Sequence, residues 1–494
     1  MNFRTVFEAV AYYSKHTPDK ICLIDTDNNK SITYNKFWSS IHAFSIVLIN
    51  SGVKKGDHIV VRVGSPIETI IAHFSINLAG AVYCPVEKQM KEPKLAEMLD
   101  YFDATALIST ECFSITDKWF DLNKVLVTVE EDSANIDTVF PNANELSAII
   151  FTTGTTGKAK GVMISYGALA VFSDTRKEVL KLSDTDNMLW TSPLDRVGGM
   201  RASFIAFFAG CTASYCDGVI FLNDFFNSIK KFNITALYLN SFTAVIILRN
   251  ASDRFKEFSK QLKVVSFGGG FMPEKYKKLT KQVLPKTRLI IFYGSAEVST
   301  ISYFEYREIT GQINCVGTPH LCTKVSFVED RTYKTIQTSK EVFGIVACES
   351  TCSMVGYWKD VELTEKTIID GRIIMTDVGY FGDDGLMYLM GRRDDVIVSG
   401  GHKIAPYEVE DVVLHMQSIA ECVCIPANDE MLGAIPKLFV VINNGFEFSA
   451  KEIFEHLSNR LETYKVPRII RELDSLPRVG TSQKIDRKEL LKYE

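Results

Sequence analysis

The sequence SAIIFTTGTTGKAKG, residues 147–161, joins an apolar segment to a run of threonine, glycine and lysine. Ala148 to Phe151 predicts a buried strand, and a helix is expected to begin near Ser165. Between them lie hydroxyl groups, glycines with accessible backbone N–H groups, and ammonium groups, which together suit a polyphosphate. A plain surface turn explains this density of phosphate-binding groups less well.

The loop differs in spacing from the Walker A phosphate loop. That motif requires a glycine five residues before Gly157, where Thr152 stands. It also requires a hydroxyl residue after Lys158, where Ala159 stands. The loop is therefore interpreted as a phosphate-binding site of another class.

The composition of the 494 residues is that of a large globular protein. At about 150 residues per domain, this length suggests about three units. Hydrophobic residues make up 46% and charged residues 23%, which argues against a disordered chain. The 55 basic and 60 acidic residues leave a net charge of −5, so neither nucleic acid nor an anionic membrane is expected as the main partner.

The 11 cysteines are scattered along the chain, and no CxxC pair occurs. Cys422 and Cys424 are expected on one face of a strand and are interpreted as buried thiols. This pattern favours a reducing compartment over a disulfide framework or a zinc ribbon. No secretory signal is visible and no apolar run approaches ~20 residues, so a soluble, cytoplasmic protein is expected.

Helix and strand patterns alternate along most of the chain. Apolar residues recur at helical spacing over 34–48 and 67–78, and the β-branched segment 58–63 between them predicts a strand. This alternation predicts an α/β fold whose large, layered N-terminal domain has mostly parallel sheets. The last hundred residues resemble a small α+β unit, and the predicted domains are 1–393 and 394–494.

Several segments resemble, in order, the motifs of the adenylate-forming (AMP-binding) superfamily, which includes acyl-CoA synthetases, aryl-CoA ligases, adenylation domains and firefly-type luciferases. After the phosphate loop come VSFGGGFMPEKY (265–276) and IIFYGSAEVST (290–300). MTDVGYFGDDGLMYLMGRRDDVIVSGG (375–401) and LPRVGTSQKIDRKEL (476–490) complete the series. The resemblance implies a large domain that binds ATP and an acid, and a small, mobile C-terminal domain.

The resemblance also implies the roles of individual residues at a nucleotide site. The loop would hold phosphates, the glycines of 268–270 and an aromatic turn would hold adenine, and an acid–arginine pair would hold ribose. Glu297 would bind Mg²⁺, a hard cation that prefers oxygen ligands. Taken without the family, Glu297 would be a solvated carboxylate and Asp377 a turn or cap residue. The implied nucleotide-binding residues are Thr152, Thr153, Gly154, Thr155, Thr156, Gly157, Lys158, Lys160, Gly268, Gly269, Gly270, Phe292, Tyr293, Gly294, Ser295, Asp377 and Arg392.

Lys484 has the central catalytic role in this resemblance, together with Thr152 and Glu297. Its ammonium group would offset charge while the acid carboxylate attacks the α-phosphate. The segment departs from the family pattern, because Pro477 lies one residue farther from Lys484 than usual and Gln483 replaces a glycine.

A loop that carries Lys484 into the site would block a thiol. The resemblance implies that the C-terminal domain rotates between the two half-reactions, with Asp394 at the hinge position. Gly400 and Gly401 would then line a passage for a pantetheine arm. From the local sequence, an ordinary turn explains this pair of glycines equally well.

Residues 191–200, TSPLDRVGGM, stand where the family often has Pro-Leu-Phe-His. Arg196 would either bind a second anionic group of a dicarboxylate or oxo-acid, or pair with Asp195 and only shape the pocket; the second interpretation is preferred. Ala296 replaces a threonine beside Glu297 and so removes a possible contact to the α-phosphate. The expected acyl-pocket residues are Asp195, Arg196, Val197, Gly199, Met200, Tyr238, Asn240 and Phe242.

The resemblance predicts an acid–thiol ligase that forms an acyl-adenylate from ATP, releases pyrophosphate and transfers the acyl group to coenzyme A. The expected reactants are an aryl or medium-sized carboxylic acid, ATP with Mg²⁺, and coenzyme A. Two alternatives stay open: an enzyme that loads the phosphopantetheine of an acyl-carrier protein, and a non-catalytic nucleotide-binding regulator. A luciferase-like oxygenase is less favoured, because the fold alone does not fix the chemistry.

Overall fold

The computed structural model describes residues 3–126, 140–153, 159–216, 221–307, 314–479 and 484–493. Several helices begin at a capping side chain; Thr33, for example, accepts a hydrogen bond from the backbone N–H of Lys36. The helices are α1 Val6–His16, α2 Tyr34–Asn50, α3 Pro66–Leu78, α4 Glu92–Tyr101, α5 Tyr166–Leu180, α6 Val197–Ala209, α7 Leu222–Lys231, α8 Ser241–Lys256, α9 Glu274–Val283, α10 Val361–Thr367, α11 Pro406–Leu414, α12 Ala450–Ser458 and α13 Arg487–Leu490.

The strands are mostly short, buried and rich in β-branched residues. The first fourteen are β1 Ile21–Asp25, β2 Lys30–Thr33, β3 His58–Arg62, β4 Val82–Val86, β5 Ala104–Ser109, β6 Trp119–Asp121, β7 Leu146–Thr153, β8 Ala159–Ser165, β9 Asn187–Trp190, β10 Thr212–Tyr215, β11 Ala236–Asn240, β12 Val264–Gly268, β13 Arg288–Ser295 and β14 Ser299–Glu305. The others are β15 Cys315–Pro319, β16 Thr323–Val328, β17 Gly344–Ser350, β18 Gly356–Tyr357, β19 Ile368–Ile369, β20 Arg372–Phe381, β21 Met387–Arg392, β22 Ile397–Ser399, β23 His402–Ile404, β24 Ile419–Asp429, β25 Gly433–Ile442, β26 Ile469–Glu472, β27 Arg478–Val479 and β28 Lys484–Ile485.

A fourteen-stranded sheet runs in the order β16-β17-β20-β21-β15-β14-β13-β12-β11-β9-β10-β1-β2, with β19 beside β20. Strands β1, β10, β9, β11, β12 and β13 are parallel, and the pairs from β13 to β16 are antiparallel. The sheet is therefore mixed, because its second half is built from consecutive hairpins. The carboxyl ends of the parallel strands meet at one edge, where open α/β sheets bind ligands.

A seven-stranded sheet, β18-β8-β7-β4-β3-β5-β6, contains the two strands that flank the predicted phosphate loop, β7 and β8. Its strands β3 to β7 are parallel, whereas β7 and β8 form an antiparallel hairpin. The helix expected near Ser165 is α5, and the Ser165 side chain caps it. The sequence analysis did not predict β8, which lies between the loop and this helix.

The main hydrophobic core lies between these two sheets and the helices that cover them. Phe74 of α3 is at its centre, with the rings of Phe37, Phe204 and Phe207 at centroid distances of 5.3, 4.9 and 5.4 Å. Each such aromatic pair adds about 0.5–1.5 kcal/mol beyond the burial of its area. The predicted α/β layering is confirmed by this packing of helices on sheets.

The chain after residue 393 has its own core and a five-stranded sheet, β23-β22-β25-β24 with β26 beside β25. Helices α11 and α12 cover it, and β27 and β28 form a separate two-stranded hairpin. Cys422 and Cys424 are buried in the same core, as predicted. Within the described ranges, no helix combines the length and the apolarity needed to cross a bilayer.

Candidate active site

A tight turn joins β13 to β14 at the carboxyl edge of the parallel strands. The strand register shifts between Tyr293 and Gly294. A Cβ atom on Gly294 would lie 1.9 Å from the backbone oxygen of Ser299, so a side chain has no room there. This close approach fixes the path of the turn that presents Glu297.

Asp377 and Arg392 face each other across the antiparallel pair β20–β21. Tyr293 donates its hydroxyl hydrogen to Oδ2 of Asp377 at 2.6 Å. Desolvation and the adjacent carboxylate raise the pKa of Tyr293 well above its ordinary value, so this hydroxyl stays protonated at neutral pH. A carboxylate, a guanidinium and a phenol ring from three strands thus meet at the position expected for a nucleoside.

Tyr357 links Glu297 to the hairpin β7–β8. This hairpin flanks the predicted phosphate loop and is called the phosphate hairpin below. The Tyr357 hydroxyl donates to Oε1 of Glu297 at 2.9 Å, and the Lys160 ammonium nitrogen lies 5.2 Å from the Tyr357 ring centroid. Desolvation and Glu297 raise the pKa of Tyr357, which keeps it a donor. The backbone N–H of Met354 also donates to the backbone oxygen of Glu297 at 2.7 Å. The expected metal ligand and the expected phosphate lysine are therefore brought together.

The glycines proposed for adenine follow β12. A Cβ atom on Gly268 would lie 2.8 Å from the Tyr238 hydroxyl oxygen, and Gly269 has a φ of +77°. Ser241 donates to the backbone oxygen of Gly270 at 2.8 Å. Gly268 is buried against Tyr238 of β11, whereas Gly269 and Gly270 are exposed.

Thr152 lies at the end of β7, half-buried, opposite Lys160 of β8. Its hydroxyl is 3.5 Å from the backbone oxygen of Lys160. Thr153 is described in its backbone position only, and Gly154, Thr155, Thr156, Gly157 and Lys158 lie outside the described residues. The hairpin β7–β8 therefore places Thr152 and Lys160 on the two strands that flank the predicted loop, and the contacts of that loop to phosphate remain predictions.

Arg196 precedes α6 and is paired with two carboxylates. Its Nη2 lies 2.6 Å from Oε1 of Glu87, and its Nε lies 3.2 Å from Oδ2 of Asp195. Asp195 is buried, with 7% exposure. These ion pairs agree with the preferred interpretation that Arg196 shapes the pocket. Glu87 was not singled out from the sequence.

The other predicted pocket residues occupy different environments. Val197, Gly199 and Met200 form the first turn of α6, and a Cβ on Gly199 would lie 2.0 Å from the backbone oxygen of Pro193. Tyr238 stacks on Trp190 with a centroid distance of 4.8 Å.

Two further predicted pocket residues have partners of their own. Asn240 caps α8 by accepting from the backbone N–H of Thr243 at 2.7 Å. Phe242 lies under the Arg478 guanidinium at 4.7 Å, so at least part of its ring contacts the C-terminal segment.

Lys484 is in the hairpin β27–β28, where it pairs with Val479. The structure describes its backbone; Gln483 lies outside the described residues. In the neighbouring pair of this hairpin, Arg478 lies opposite Ile485. The Arg478 guanidinium contacts Phe242 at the start of α8. The hairpin thus lies against the helix that follows β11, on the side of the glycine turn.

The proposed hinge and thiol-passage residues lie outside this cluster. The Asp394 side chain is 86% exposed, between β21 and β22. Gly400 and Gly401 have φ angles of +55° and +87° and form the two-residue turn between β22 and β23. That turn requires positive φ, which is the structural reason for two glycines. A role in a thiol passage stays a prediction.

Comparison with known families fits this arrangement. A family model described as AMP-binding enzyme matches residues 8–358, and one described as AMP-binding enzyme C-terminal domain matches residues 408–483. The chain belongs to the AMP-binding enzyme family. The resemblance inferred from the sequence motifs is thereby confirmed.

Known AMP-binding enzymes match nearly the full chain. The chain is 27% identical over 480 residues to a 2-succinylbenzoate–CoA ligase of Bacillus cereus (strain AH820). The match covers 96% of this chain and 95% of the relative. The solved o-succinylbenzoate CoA synthetase from Bacillus subtilis, in complex with an acyl-adenylate intermediate, has a TM-score of 0.85 at 22% identity over 98% of both chains. ATP-bound MatB from Rhodopseudomonas palustris has a TM-score of 0.87 at 19% identity, covering 100% of this chain and 99% of that one. These likenesses confirm the predicted fold class.

The donor set around Glu297 fits a magnesium ion that arrives with a polyphosphate. Within the described residues, no group of three or more His, Cys, Asp or Glu side chains is arranged to hold a metal ion. Mg²⁺ is commonly bound by one or two carboxylates, with water and substrate phosphates completing its shell. Glu297, a single carboxylate in the β13–β14 turn that is linked to the hairpin β7–β8 through Tyr357, is that kind of ligand.

Sequence reasoning missed Tyr357 as a member of the site. It lies in the segment GIVACESTCSMVGYW (344–358), which also resembles a family motif, and its contact to Glu297 spans 60 residues of sequence. Its position before the conspicuous Trp358 gave a local signal. The pairing itself depends on β18 joining β8, which no local pattern predicts.

Proposed function

We propose that this AMP-binding enzyme is an acid–CoA ligase that forms AMP. A carboxylate oxygen of the acid attacks the α-phosphorus of ATP, and the bond to the bridging oxygen breaks as pyrophosphate leaves. The coenzyme A thiol then attacks the acyl carbonyl carbon and loses its proton, and AMP leaves. The observation that carries the proposal is the meeting of Tyr293, Asp377, Glu297 and the phosphate hairpin at one sheet edge.

In the first half-reaction, the proposed work of the chain is positioning and charge neutralisation. Asp377 accepts from ribose hydroxyls beside Arg392, while Thr152 and Lys160 orient the phosphates. Glu297 would hold Mg²⁺, and the ion would supply charge neutralisation at the phosphate oxygens. Lys484 enters from the C-terminal hairpin and stabilises the charge that develops on the carboxylate and α-phosphate oxygens.

In the second half-reaction, Lys484 has to leave so that the thiol can reach the acyl carbon. A rotation about Asp394 would withdraw the hairpin and bring Gly400 and Gly401 towards the site. The contacts between the two parts include both rings and polar groups: Phe271 stacks on Tyr407 at 4.8 Å, and Asp411 accepts from the backbone N–H of Glu274 at 2.9 Å. Interfaces of this mixed kind permit domain motion.

The proposed substrate is an aryl or medium-sized carboxylic acid. Relatives that cover 96% of this chain are named 2-succinylbenzoate–CoA ligases, which makes that aryl acid the first candidate. Tyr238, one of the predicted pocket residues, stacks on Trp190, so this side of the proposed pocket would be aromatic. An aromatic wall suits an aryl group.

Pyrophosphate exchange tests the first half-reaction, and thioester formation tests the second. With 2-succinylbenzoate, ATP and Mg²⁺, we expect acid-dependent exchange of pyrophosphate into ATP, followed by coenzyme A thioester in the full reaction. Pyrophosphate exchange combined with thioester formation only on a carrier protein would show that coenzyme A is not the acyl acceptor. ATP binding without exchange for any acid in a broad panel would overturn the ligase and favour the regulator.

A further inference from the structure

Two arginines beside the proposed acyl pocket are buried without a carboxylate partner. Arg176 of α5 and Arg201 of α6 have exposures of 6% and 3%. Burial lowers the pKa of Arg176 to about 9 and that of Arg201 to about 10, so both remain charged at neutral pH. Within the part of the chain that the structure describes, their electrostatic neighbours are a phenol and thiols, with no carboxylate among them.

The polar partners of these guanidinium groups are neutral. Arg176 donates to the Thr300 hydroxyl at 3.0 Å, and its Cζ lies 3.0 Å from the Phe292 ring centroid. Arg201 donates through Nη1 to the hydroxyl of Ser299. Hydroxyl groups and rings stabilise a cation weakly, whereas an uncompensated buried ion costs several kcal/mol. Among the described residues, the hydrogen-bond partners of these two cations therefore supply no negative charge.

The unused nitrogens of Arg201 have the geometry of a carboxylate receptor. Its Nε and Nη2 are both buried and without a hydrogen-bond partner among the described residues. These two nitrogens share one edge of the planar guanidinium and direct their N–H bonds in parallel. That fork matches the two oxygens of one carboxylate.

The pair lies directly against the turn that presents Glu297. Ser299 and Thr300, which the arginines contact, are paired with Ser295 and Gly294 across β13–β14.

The ring of Phe172 joins the two cations. It lies 5.6 Å from Cζ of Arg176 and 4.9 Å from Cζ of Arg201. Arg201 also follows Met200, one of the predicted pocket residues in the first turn of α6. The cations are thus placed between the nucleotide turn and the acyl pocket.

A thiolate on Cys322 would not balance these charges. Cys322 accepts a hydrogen bond from Cys352 and lies 3.1 Å from Nδ1 of His320, and these contacts lower its pKa to about 4. One thiolate can offset one of the two guanidinium charges. A net positive charge remains for a ligand.

We propose that Arg201, supported by Arg176, binds a second carboxylate of the acid substrate, so that the enzyme selects dianionic acids. The inference rests on the proposed ligase function and names its substrate class. Arg196, which the sequence suggested for this role, is already paired with Glu87 and Asp195.

Matched acids that differ by one carboxylate test the subsite. We would compare 2-succinylbenzoate with 4-oxo-4-phenylbutanoate, and phenylsuccinate with 3-phenylpropionate, by kcat/KM for pyrophosphate exchange. Discrimination by a bidentate buried contact is on the order of 10²-fold in favour of the dianion, and Arg201→Met should reduce it to a few-fold. Arg201→Lys should restore part of it. Equal kcat/KM within the pairs, or a ratio unchanged in Arg201→Met, would overturn the proposal.

A matched control and a second readout separate this role from a structural one. Arg288 bonds Glu305 through Nε and Nη2, both at 2.9 Å, so Arg288→Met should lower the Tm and leave the ratio unchanged. Arg201→Met removes an unbalanced buried charge and should leave the Tm equal or higher. A lower Tm with equal losses for both acids of a pair would contradict the subsite.

Calorimetry distinguishes failure of the subsite from failure of the ligase. If no acid supports exchange, the ligase function is contradicted. Titration with 2-succinylbenzoate then still reports the subsite: binding that Arg201→Met abolishes and 4-oxo-4-phenylbutanoate does not reproduce would support it. No binding, or equal binding of both acids, would overturn it.

Discussion

The ammonium group of Lys484 is the single charge on which adenylate formation is proposed to depend most. Lys484→Ala should lower pyrophosphate exchange about 10²–10³-fold, since it removes a donor aimed at the developing charge. Binding of ATP to the free enzyme should change little. Lys488→Ala, an exposed lysine four residues on, is the control and should retain exchange. Equal exchange in Lys484→Ala and wild type would remove Lys484 from the mechanism.

His73 gives a pH-dependent prediction that is independent of catalysis. Its imidazole is buried, stacked on Tyr83 at 3.9 Å, and burial lowers its pKa to about 3. The unfolded chain therefore binds this proton first as the pH falls through 6.5, and the folded chain loses about 1.4 kcal/mol per pH unit below that value. Stability present above pH 6.5 is thus lost on acidification.

Denaturant unfolding of His73→Phe checks this. Between about pH 7 and about pH 5.5, the variant should lose about 1 kcal/mol less than wild type in its free energy of unfolding. His16→Phe, at an exposed histidine, should follow the wild-type slope. Parallel slopes for all three proteins would show that His73 does not titrate with folding.

For single residues, the sequence indicated which side chains belong to the proposed site better than it indicated which other side chains they contact. Asp377, Arg392 and Tyr293 were identified from motifs, and the strand pairing β20–β21 does bring them together. Arg201 was not identified as a site residue from the sequence. A buried arginine has no local signature, because its environment is created by β13 and β14, about 90 residues away.

The hairpin β13–β14 is the element whose geometry depends most on one glycine. Gly294→Ala places a Cβ 1.9 Å from a backbone oxygen, so the turn has to shift. We expect a loss of about 1–3 kcal/mol in unfolding free energy and a larger fall in pyrophosphate exchange. Gly198→Ala is the control, because its Cβ would meet no atom closer than 3.9 Å and it lies in a helix.

Gly198→Ala should be neutral or stabilising by about 0.5 kcal/mol. Thermal unfolding and exchange assays on the two variants make the comparison. Similar stability and activity in Gly294→Ala and wild type would show that the turn tolerates the added atom.

Elements with strong periodicity were predictable, and those defined by pairing were not. The helix expected over 34–48 is α2, and the strand expected over 58–63 is β3. The phosphate segment was expected to run from a strand towards a helix, whereas β8 returns antiparallel to β7 first. Phosphate-binding residues and strand residues overlap in that segment, so local composition did not distinguish loop from strand.

At the scale of the whole molecule, the proposed mechanism requires the C-terminal part to change its position between half-reactions. Asp394→Pro fixes φ at the proposed hinge and restricts the preceding residue. Thioester formation should fall more than pyrophosphate exchange. Asp394→Ala removes the carboxylate and keeps backbone freedom, so both steps should survive in that control. Equal loss of both steps in a folded Asp394→Pro would contradict the hinge.

Family, fold class and the order of the motifs could be predicted from the sequence, because each motif is local and the series is long. The position of the C-terminal part relative to the N-terminal part could not be predicted from the sequence. It depends on a few contacts between distant residues, such as the Phe271–Tyr407 stack and the bond from Glu274 to Asp411. The boundary at Asp394 lies between two strands of different sheets and stays a prediction.

Residues 354–358 are hydrogen-bonded to both halves of the proposed centre. Met354 donates to Glu297 at 2.7 Å, while Val355 and Trp358 donate to Met163 and Gly161 at 2.9 and 2.7 Å. These five consecutive residues thus connect the β13–β14 turn, which holds the proposed metal ligand Glu297, to the phosphate hairpin β7–β8 of the other sheet. Mutations that break the hydrogen bonds of residues 354–358 are therefore expected to lower the affinity for the triphosphate of ATP and the affinity for Mg²⁺ in proportion.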